Sequence, residues 1–352
     1  MRRRLERNGV FDQMNIIVDA FGGDHAPQAV IQGAAMAVQQ LGVEITLVGD
    51  EQIIRKTAEE QGTSLEQIRI LHTDEVFEMH EEPTSILKAH KNCSMAVGLR
   101  ALRDDQGDAF VSAGSTGALV VGATFLAKRS PGIKRAALAP LLPTAKGVSM
   151  LIDCGANADC RPEMLVQFAL MGSAYMKNVM GVENPAVGLV NIGSEDTKGR
   201  ELEIETYHRL QEAPVNFRGN LEAREIPGGE YDVIVTDGFT GNVILKLYEG
   251  MGSFFAHKLK DVFGGVSGKL SAALVLPRIK AFKKQMDYSE VGGAVLMGIA
   301  KPVIKAHGSS DARAFYNAIR QAKACADEKM IETLTASVAA LQAMEEKKIE
   351  RA

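Results

Sequence analysis

Val233-Ile-Val-Thr-Asp-Gly-Phe-Thr-Gly-Asn-Val-Ile-Leu-Lys246 is a short β-branched apolar run, an Asp-Gly turn, a few small polar residues and a second apolar run. That order predicts a buried strand, a tight polar loop and a helix start. In an open parallel sheet, ligands gather beyond the carboxyl ends of the strands, where such loops lie. Asp237 falls where the strand ends. Thr240, Gly241 and Asn242 fall where helix N-terminal amides become available to an anion. The same grammar recurs in Ile16-Ile-Val-Asp-Ala-Phe-Gly-Gly-Asp-His25 and in Met150-Leu-Ile-Asp-Cys-Gly-Ala-Asn157. Three such endings predict one crevice lined by several loops.

With 352 residues, 46% of them hydrophobic, the chain can bury a large core as one α/β unit or two lobes. A net charge of -4 argues against bulk attraction to nucleic acid, and 5% aromatics with no Trp argue against base-stacking platforms. Cys93, Cys154, Cys160 and Cys325 form no CxxC pair, so a reduced setting is expected. There is no apolar run long enough to span a membrane. Met1 to Gln13 is basic without an apolar centre, unlike a secretory signal. We expect 1–13 to be a disordered extension, with Met14 the natural start, and 14–352 to be a single α/β catalytic unit.

In chain order, strands are expected at Asn15–Asp19, Glu44–Gly49, Arg69–His72, Ala109–Ser112, Met150–Asp153, Pro185–Asn191, Val215–Asn220 and Tyr231–Thr236. Helices are expected at Gln28–Leu41, Glu51–Gln61, Thr84–Leu102, from Ala113 through Ala127, from Pro162 to Met176, from near Arg200, and over Tyr316–Arg351. Thr73 to Pro83 is acidic and reads as a solvated loop or, less economically, a metal site. Ala113-Gly-Ser-Thr-Gly-Ala-Leu119 follows a strand and opens a helix. Its amides and hydroxyls can receive an anion, or Ser and Thr can simply cap the helix. It lacks the lysine and spacing of a P-loop.

Ile192-Gly-Ser-Glu-Asp-Thr-Lys-Gly199 is polar, carries Ser194 and places Lys198 near a helix start, where it can neutralise phosphate. Cys154 reads as a nucleophile or, more simply, as a small buried thiol. His307-Gly-Ser-Ser-Asp-Ala-Arg313 is another Gly/Ser loop. Gly268 to Met286 combines Leu270, Leu274, Leu276 and Phe282 with Lys269, Arg278, Lys283 and Lys284. It can lie on an anionic membrane, face a core or meet a partner.

Six segments occur in a telling order: Ile17–Pro27, Ser112–Ala118, Ile152–Asn157, Asn191–Gly199, Thr236–Val243 and His307–Asp311. Together they resemble the bacterial phosphate acyltransferases of fatty acid and phospholipid synthesis, the PlsX family, from about Met14 to the end. The resemblance implies a three-layer α/β/α sandwich with a mostly parallel sheet, similar to the phosphotransacetylase and isopropylmalate dehydrogenase group. It implies transfer of a long-chain acyl group from acyl-[acyl carrier protein] to inorganic phosphate, by direct attack of phosphate on the thioester.

No cofactor or metal is implied. The implied partners are acyl carrier protein, a second copy of the chain, a membrane-bound glycerol-3-phosphate acyltransferase and the membrane surface. The protein would be cytoplasmic, peripherally associated with the inner face of the cell membrane. Residues 251–290 would form a helical protrusion for dimer, membrane or carrier contact.

Carried onto this sequence, Lys198, Asn242, His25 and Asp237 are the expected catalytic residues. Lys198 would neutralise phosphate and the developing oxyanion, and Asn242 with the Thr240 and Gly241 amides would orient the thioester carbonyl. Asp19, His25 and Asp237 would order the site or handle protons. Gly114, Ser115, Thr116 and Gly117 would cradle phosphate or the carbonyl; Asn157, Ser194 and His307 complete the expected substrate contacts. Lys128, Arg129, Lys134 and Arg135, or the Lys258–Lys284 region, would receive an acidic carrier protein. Two rivals are a coenzyme A-dependent phosphate acetyltransferase and a non-catalytic membrane scaffold. The first would act on acetyl-coenzyme A alone, and the second would bind lipid without turnover.

Overall fold

The computed structural model describes residues 13–262, 292–327 and 330–349. Residues 1–12 and the basic segment 268–286 lie outside the described residues, as does 251–290 beyond Val262. Cα packing divides the chain into two compact units, Met1–Pro131 with Gly292–Ile331, and Gly132–Val291 with Glu332–Ala352.

The first unit begins with β1 (Asn15–Asp19), whose five residues are all buried. Pro27 introduces α1 (Gln28–Leu41), and Gly42 closes it in a left-handed cap, its amide bonded to the Val38 carbonyl. β2 (Glu44–Gly49) leads to α2 (Glu51–Gln61), where the Asp50 carboxylate caps the Gln52 and Ile53 amides. β3 (Ile68–His72), α3 (Ser94–Arg103), β4 (Ala109–Ser112) and α4 (Thr116–Gly122) follow.

The second unit opens with β5 (Ala137–Ala139), β6 (Leu141–Thr144) and β7 (Gly147–Ile152). It continues through α5 (Pro162–Asn178), β8 (Ala186–Asn191), α6 (Glu201–Glu212), β9 (Asn216–Glu222), β10 (Val233–Val235) and α7 (Gly238–Val262). The chain re-enters the first unit as β11 (Ala294–Met297), β12 (Val303–Lys305) and α8 (Ala312–Asp327); α9 (Met330–Ile349) ends the described chain.

Strands of the first unit lie in the order β3-β2-β1-β4-β12-β11, parallel except at the β11–β12 pair. The chain therefore winds outward from β1 through β2 to β3, then returns to β4 on the other side of β1. Right-handed crossovers put successive helices on opposite faces when the winding reverses. The reversal leaves a crevice at the carboxyl ends of β1 and β4, which is where such sheets bind ligands. In the second unit the order is β6-β7-β10-β8-β9, so β10 inserts between β7 and β8 and runs parallel to both. Asp153 and Asp237 thus follow the ends of neighbouring strands.

Apolar burial secures both arrangements. Ile16, Ile17 and Val18 are fully enclosed in the first unit, each contributing about 1.5–3 kcal/mol. In the second, Leu142, Leu151, Cys154, Leu221, Ile226 and Ile234 form one cluster, covered by Ile244, Leu245 and Tyr248 of α7.

Two expected helices differ. Thr84–Leu102 is not continuous: a 3-10 turn occupies Pro83–Leu87 and α3 starts only at Ser94. Between them His90 is held by two carboxylates, Glu75 at 2.9 Å and Glu81 at 3.2 Å, and Cys93 pairs with Glu75 as an isolated bridge. These tertiary bonds outweigh local helix propensity. The helix opened at Ala113 widens into a π turn at Ala123–Lys128. The described C-terminal residues are helical over Ala312–Asp327 and Met330–Ile349.

Candidate functional site

In the first unit, Asp19 ends β1 and is 2% exposed. Its carboxylate accepts hydrogen bonds from Ser94 Oγ and Ser112 Oγ, both at 2.7 Å, and from the Phe21 amide at 3.2 Å. Burial pushes its pKa up, against these donors, which favour the charged form. Ser112 Oγ also accepts from the Gly114 amide at 3.1 Å. A chain of bonds therefore runs from the end of β1 to the Gly-Ser-Thr-Gly loop. Gly22 must stay small, since a Cβ there would lie 2.6 Å from the Gly114 nitrogen and 2.7 Å from Asp19 Oδ2.

Ser115 is the N-cap residue of α4, and its hydroxyl accepts from the Ala118 amide at 3.5 Å. Ser115, Thr116 and Gly117 are partly exposed beside it. The β1–α1 loop meets the loop after β12 where the Asp24 amide donates to the Gly308 carbonyl at 2.8 Å. His25 is exposed on the first of these loops. His307, on the second, is exposed with Nδ1 2.8 Å from Ser309 Oγ; it also accepts from the Ser309 amide at 3.3 Å.

The second unit holds a different constellation. Asp153, fully buried, follows β7. It accepts from the Leu138, Ala156 and Asn157 amides at 2.8, 3.2 and 2.7 Å and from Asn157 Nδ2 at 2.9 Å. The neighbouring α7 start presses against it: the Gly238 amide donates to the Asn157 carbonyl at 2.8 Å, and a Cβ on Gly241 would lie 1.9 Å from the Asp153 carbonyl oxygen. Asn242 is exposed, and a Cβ on Gly155 would come within 3.8 Å of it.

Asp237 is 4% exposed. It accepts from the Thr240 amide at 2.8 Å, from Thr240 Oγ1 at 2.9 Å and from Arg200 Nη2 at 2.7 Å. Burial would raise its pKa, but these bonds and the Arg200 charge hold it below the ordinary value. Arg200 also pairs with Glu203. The loop bearing Ser194 and Lys198 is tied down by Asn191 Nδ2 on the Lys198 carbonyl at 2.9 Å and by Asn220 Nδ2 on the Glu195 carbonyl at 2.8 Å. Both side chains of interest, Ser194 and Lys198, are exposed.

The expected residues therefore fall in two groups. Asp19, His25, Gly114, Ser115, Thr116, Gly117 and His307 belong to the first unit; Asn157, Ser194, Lys198, Asp237, Thr240, Gly241 and Asn242 belong to the second. Local pattern does not single out Ser94, Arg200 or Lys305. Ser112 and Asp153 are legible in the quoted motifs as the polar residues at strand ends. Arg200 directly follows the Lys198-Gly199 pair. Cys154 belongs to the core cluster and Cys160 has its thiol pushed up to about 12 by burial; burial also raises Cys154, so neither supplies a ready thiolate. Among the described residues, no group of three or more His, Cys, Asp or Glu side chains converges as a metal ion needs.

The sequence profile described as "Fatty acid synthesis protein" matches residues 14–333. The chain belongs to that family. Its relatives include the phosphate acyltransferase of Alkaliphilus oremlandii, 45% identical over 93% of this chain and 98% of the relative. Those of Oceanobacillus iheyensis and Bacillus licheniformis are 47% and 49% identical, over 95% and 88% of this chain and 100% and 94% of theirs. Among solved structures, a phosphotransacetylase from Streptococcus pyogenes shares the fold with a TM-score of 0.62 at 17% identity, covering 89% of this chain and 94% of that one. The EutD phosphotransacetylase of Staphylococcus aureus matches at 0.59, again at 17% identity and over 89% and 94% of the two chains. The fold of this family member is thus α/β with mostly parallel sheets, as in the phosphotransacetylases.

Proposed function

We propose that this protein transfers a fatty acyl group from acyl-[acyl carrier protein] to inorganic phosphate. The observation that carries the reading is the similarity to phosphate acyltransferases along 93% of the chain. A phosphate oxygen attacks the thioester carbonyl and forms the new C–O bond. The tetrahedral intermediate then collapses, the C–S bond breaks, and the carrier thiolate leaves and takes a proton. Acyl phosphate is the product, and a membrane-bound glycerol-3-phosphate acyltransferase consumes it.

The chain's own residues supply positioning and charge. The loop Gly114–Gly117 is tied down by the Gly114 amide on Ser112, itself bonded to Asp19, and receives an anionic group through the amides and hydroxyls of Ser115–Gly117. Lys198 neutralises phosphate and the oxyanion, and Asn242 orients the acyl carbonyl; the Thr240 and Gly241 amides, expected to help it, donate instead to the Asp237 carboxylate and carbonyl and hold the loop. His25 protonates the leaving thiol. Asp237 is committed to Thr240 and Arg200 and serves to hold its loop. Direct attack is favoured over an acyl-cysteine because burial raises the Cys154 and Cys160 thiols.

The protein acts as a homodimer at the membrane surface. Phe239, Val243, Leu247, Met251, Phe254 and Phe255 are exposed along α7, an apolar flank that supports such a contact. No helix of the described residues is long and apolar enough to cross the bilayer. Acyl phosphate and free carrier thiol, measured by mass spectrometry from palmitoyl-carrier protein and phosphate, test the reading. Activity confined to acetyl-coenzyme A, or none that needs phosphate, contradicts it.

A further inference from the structure

We infer that Lys305 is the positioning residue of the Gly114–Gly117 loop, setting the Ala113–Gly114 peptide so that the loop presents its amides to phosphate. Register places Lys305 of β12 beside Ser112 of β4, and Val111 of the same strand beside Val18 of β1. Asp19, Ser112 and Lys305 therefore follow one another across the ends of three adjacent parallel strands. Laterally paired residues of neighbouring strands share a face, and the Ser112–Asp19 bond of 2.7 Å confirms it for that pair. All three are buried, at 2%, 0% and 8% exposure. A carboxylate, a hydroxyl and an ammonium thus form one row under the loop.

A buried lysine at a strand end is costly unless its charge is used. Here Nζ donates to the Ala113 carbonyl at 3.3 Å and also to the Ala306 carbonyl. Ala113 and Gly114 share that peptide. Its carbonyl is fixed by Lys305, and its N–H, on Gly114, is fixed by Ser112 Oγ. The peptide plane is held from both sides, so the following residues enter the loop in one orientation. Ala306 is itself bonded through its amide to the Ser112 carbonyl at 2.9 Å, which closes the arrangement. This role rests on the proposal that the loop receives phosphate.

The test compares the full chain with Lys305→Met and Lys305→Arg, and with Lys301→Met as control. Lys301 bonds the Gly107 carbonyl and Asp105 at the other end of β12. Two readouts are taken: KM for phosphate and for palmitoyl-carrier protein, and amide hydrogen exchange across 112–119 with and without inorganic phosphate. In Lys305→Met, kcat/KM for phosphate should fall on the order of a hundredfold, as for a misplaced contact, mainly through KM. KM for the acyl donor should hold, and the phosphate-dependent protection of 112–119 should vanish. Lys301→Met should match the wild type. Unchanged phosphate KM in folded Lys305→Met overturns the inference. If Lys305→Met does not fold, Lys305→Arg must show the same selective loss, since a guanidinium does not reproduce the ammonium geometry. If the wild type makes no acyl phosphate, the proposed function fails and exchange alone decides: protection lost in the variant supports Lys305, and protection unchanged or absent in the wild type overturns it.

Discussion

The Arg200 guanidinium donates to the Asp237 carboxylate at 2.7 Å and joins two loops that are 37 residues apart. Arg200 opens α6, while Asp237 opens α7, so the loop carrying Lys198 and the loop carrying Asn242 share one anchor. Arg200→Met should therefore loosen both at once. Its guanidinium is 64% exposed, so the cost is below that of a fully buried pair, about 1–2 kcal/mol. Chemical denaturation measures the cost, and a loss of acyl transfer larger than the loss of folded protein shows that the anchor serves the site.

The same pair fixes a pH dependence. Burial pushes Asp237 up, but the Thr240 and Arg200 bonds outweigh it, so the carboxyl titrates below its ordinary value of 3.8. A depressed folded pKa stabilises the fold above the unfolded value, and that contribution is lost as pH falls through the folded one. The stability gap between wild type and Asp237→Asn should be constant between about pH 5 and 8 and should shrink only below 3.8. A gap that narrows between pH 7 and 5 contradicts the pairing.

Gly241 separates backbone contact from helix propensity. A Cβ there would lie 1.9 Å from the Asp153 carbonyl oxygen, a backbone atom that cannot rotate away. Gly241→Ala should cost about 1–3 kcal/mol or more by overpacking. Gly250, later in the same helix, has open space within 4 Å of where a methyl would stand; Gly250→Ala should instead stabilise by about 0.5–1 kcal/mol. Melting curves of the two variants should move in opposite directions.

Lys198 and Asn242 are exposed and lie outside the buried networks, so their removal should spare the fold. Lys198→Ala and Asn242→Ala should each lower acyl phosphate formation by about 10²–10³, the range for losing one donor to a developing oxyanion. Melting temperatures should stay at the wild-type value. Near-wild-type rates in both variants remove these residues from the chemistry.

Local punctuation made much of the fold legible. Pro27 and Gly42 bracket α1, and Asp50 and Gly62 bracket α2, so both helices stand where the spacing places them. The strand-Asp-Gly endings locate Asp19, Asp153 and Asp237 at strand ends with no knowledge of strand order. Long-range bonds were not legible. Ser94 starts α3 facing Asp19, 75 residues away, and His90 is captured by Glu75 and Glu81, so a helix read from 84 onward begins late. In sequence, Lys305 is one polar residue ending an apolar run. Its place beside Ser112 depends on strand order, which local spacing does not encode. Arg200 is overshadowed by Lys198 because its partner is 37 residues further on.

The most direct measurement is phosphate-dependent release of carrier protein from palmitoyl-carrier protein by the full chain, with the thiol and the acyl phosphate quantified together. Direct transfer to phosphate predicts equal amounts of free carrier thiol and acyl phosphate, both absent without phosphate. Thiol release that is independent of phosphate, or activity confined to acetyl-coenzyme A, would contradict it.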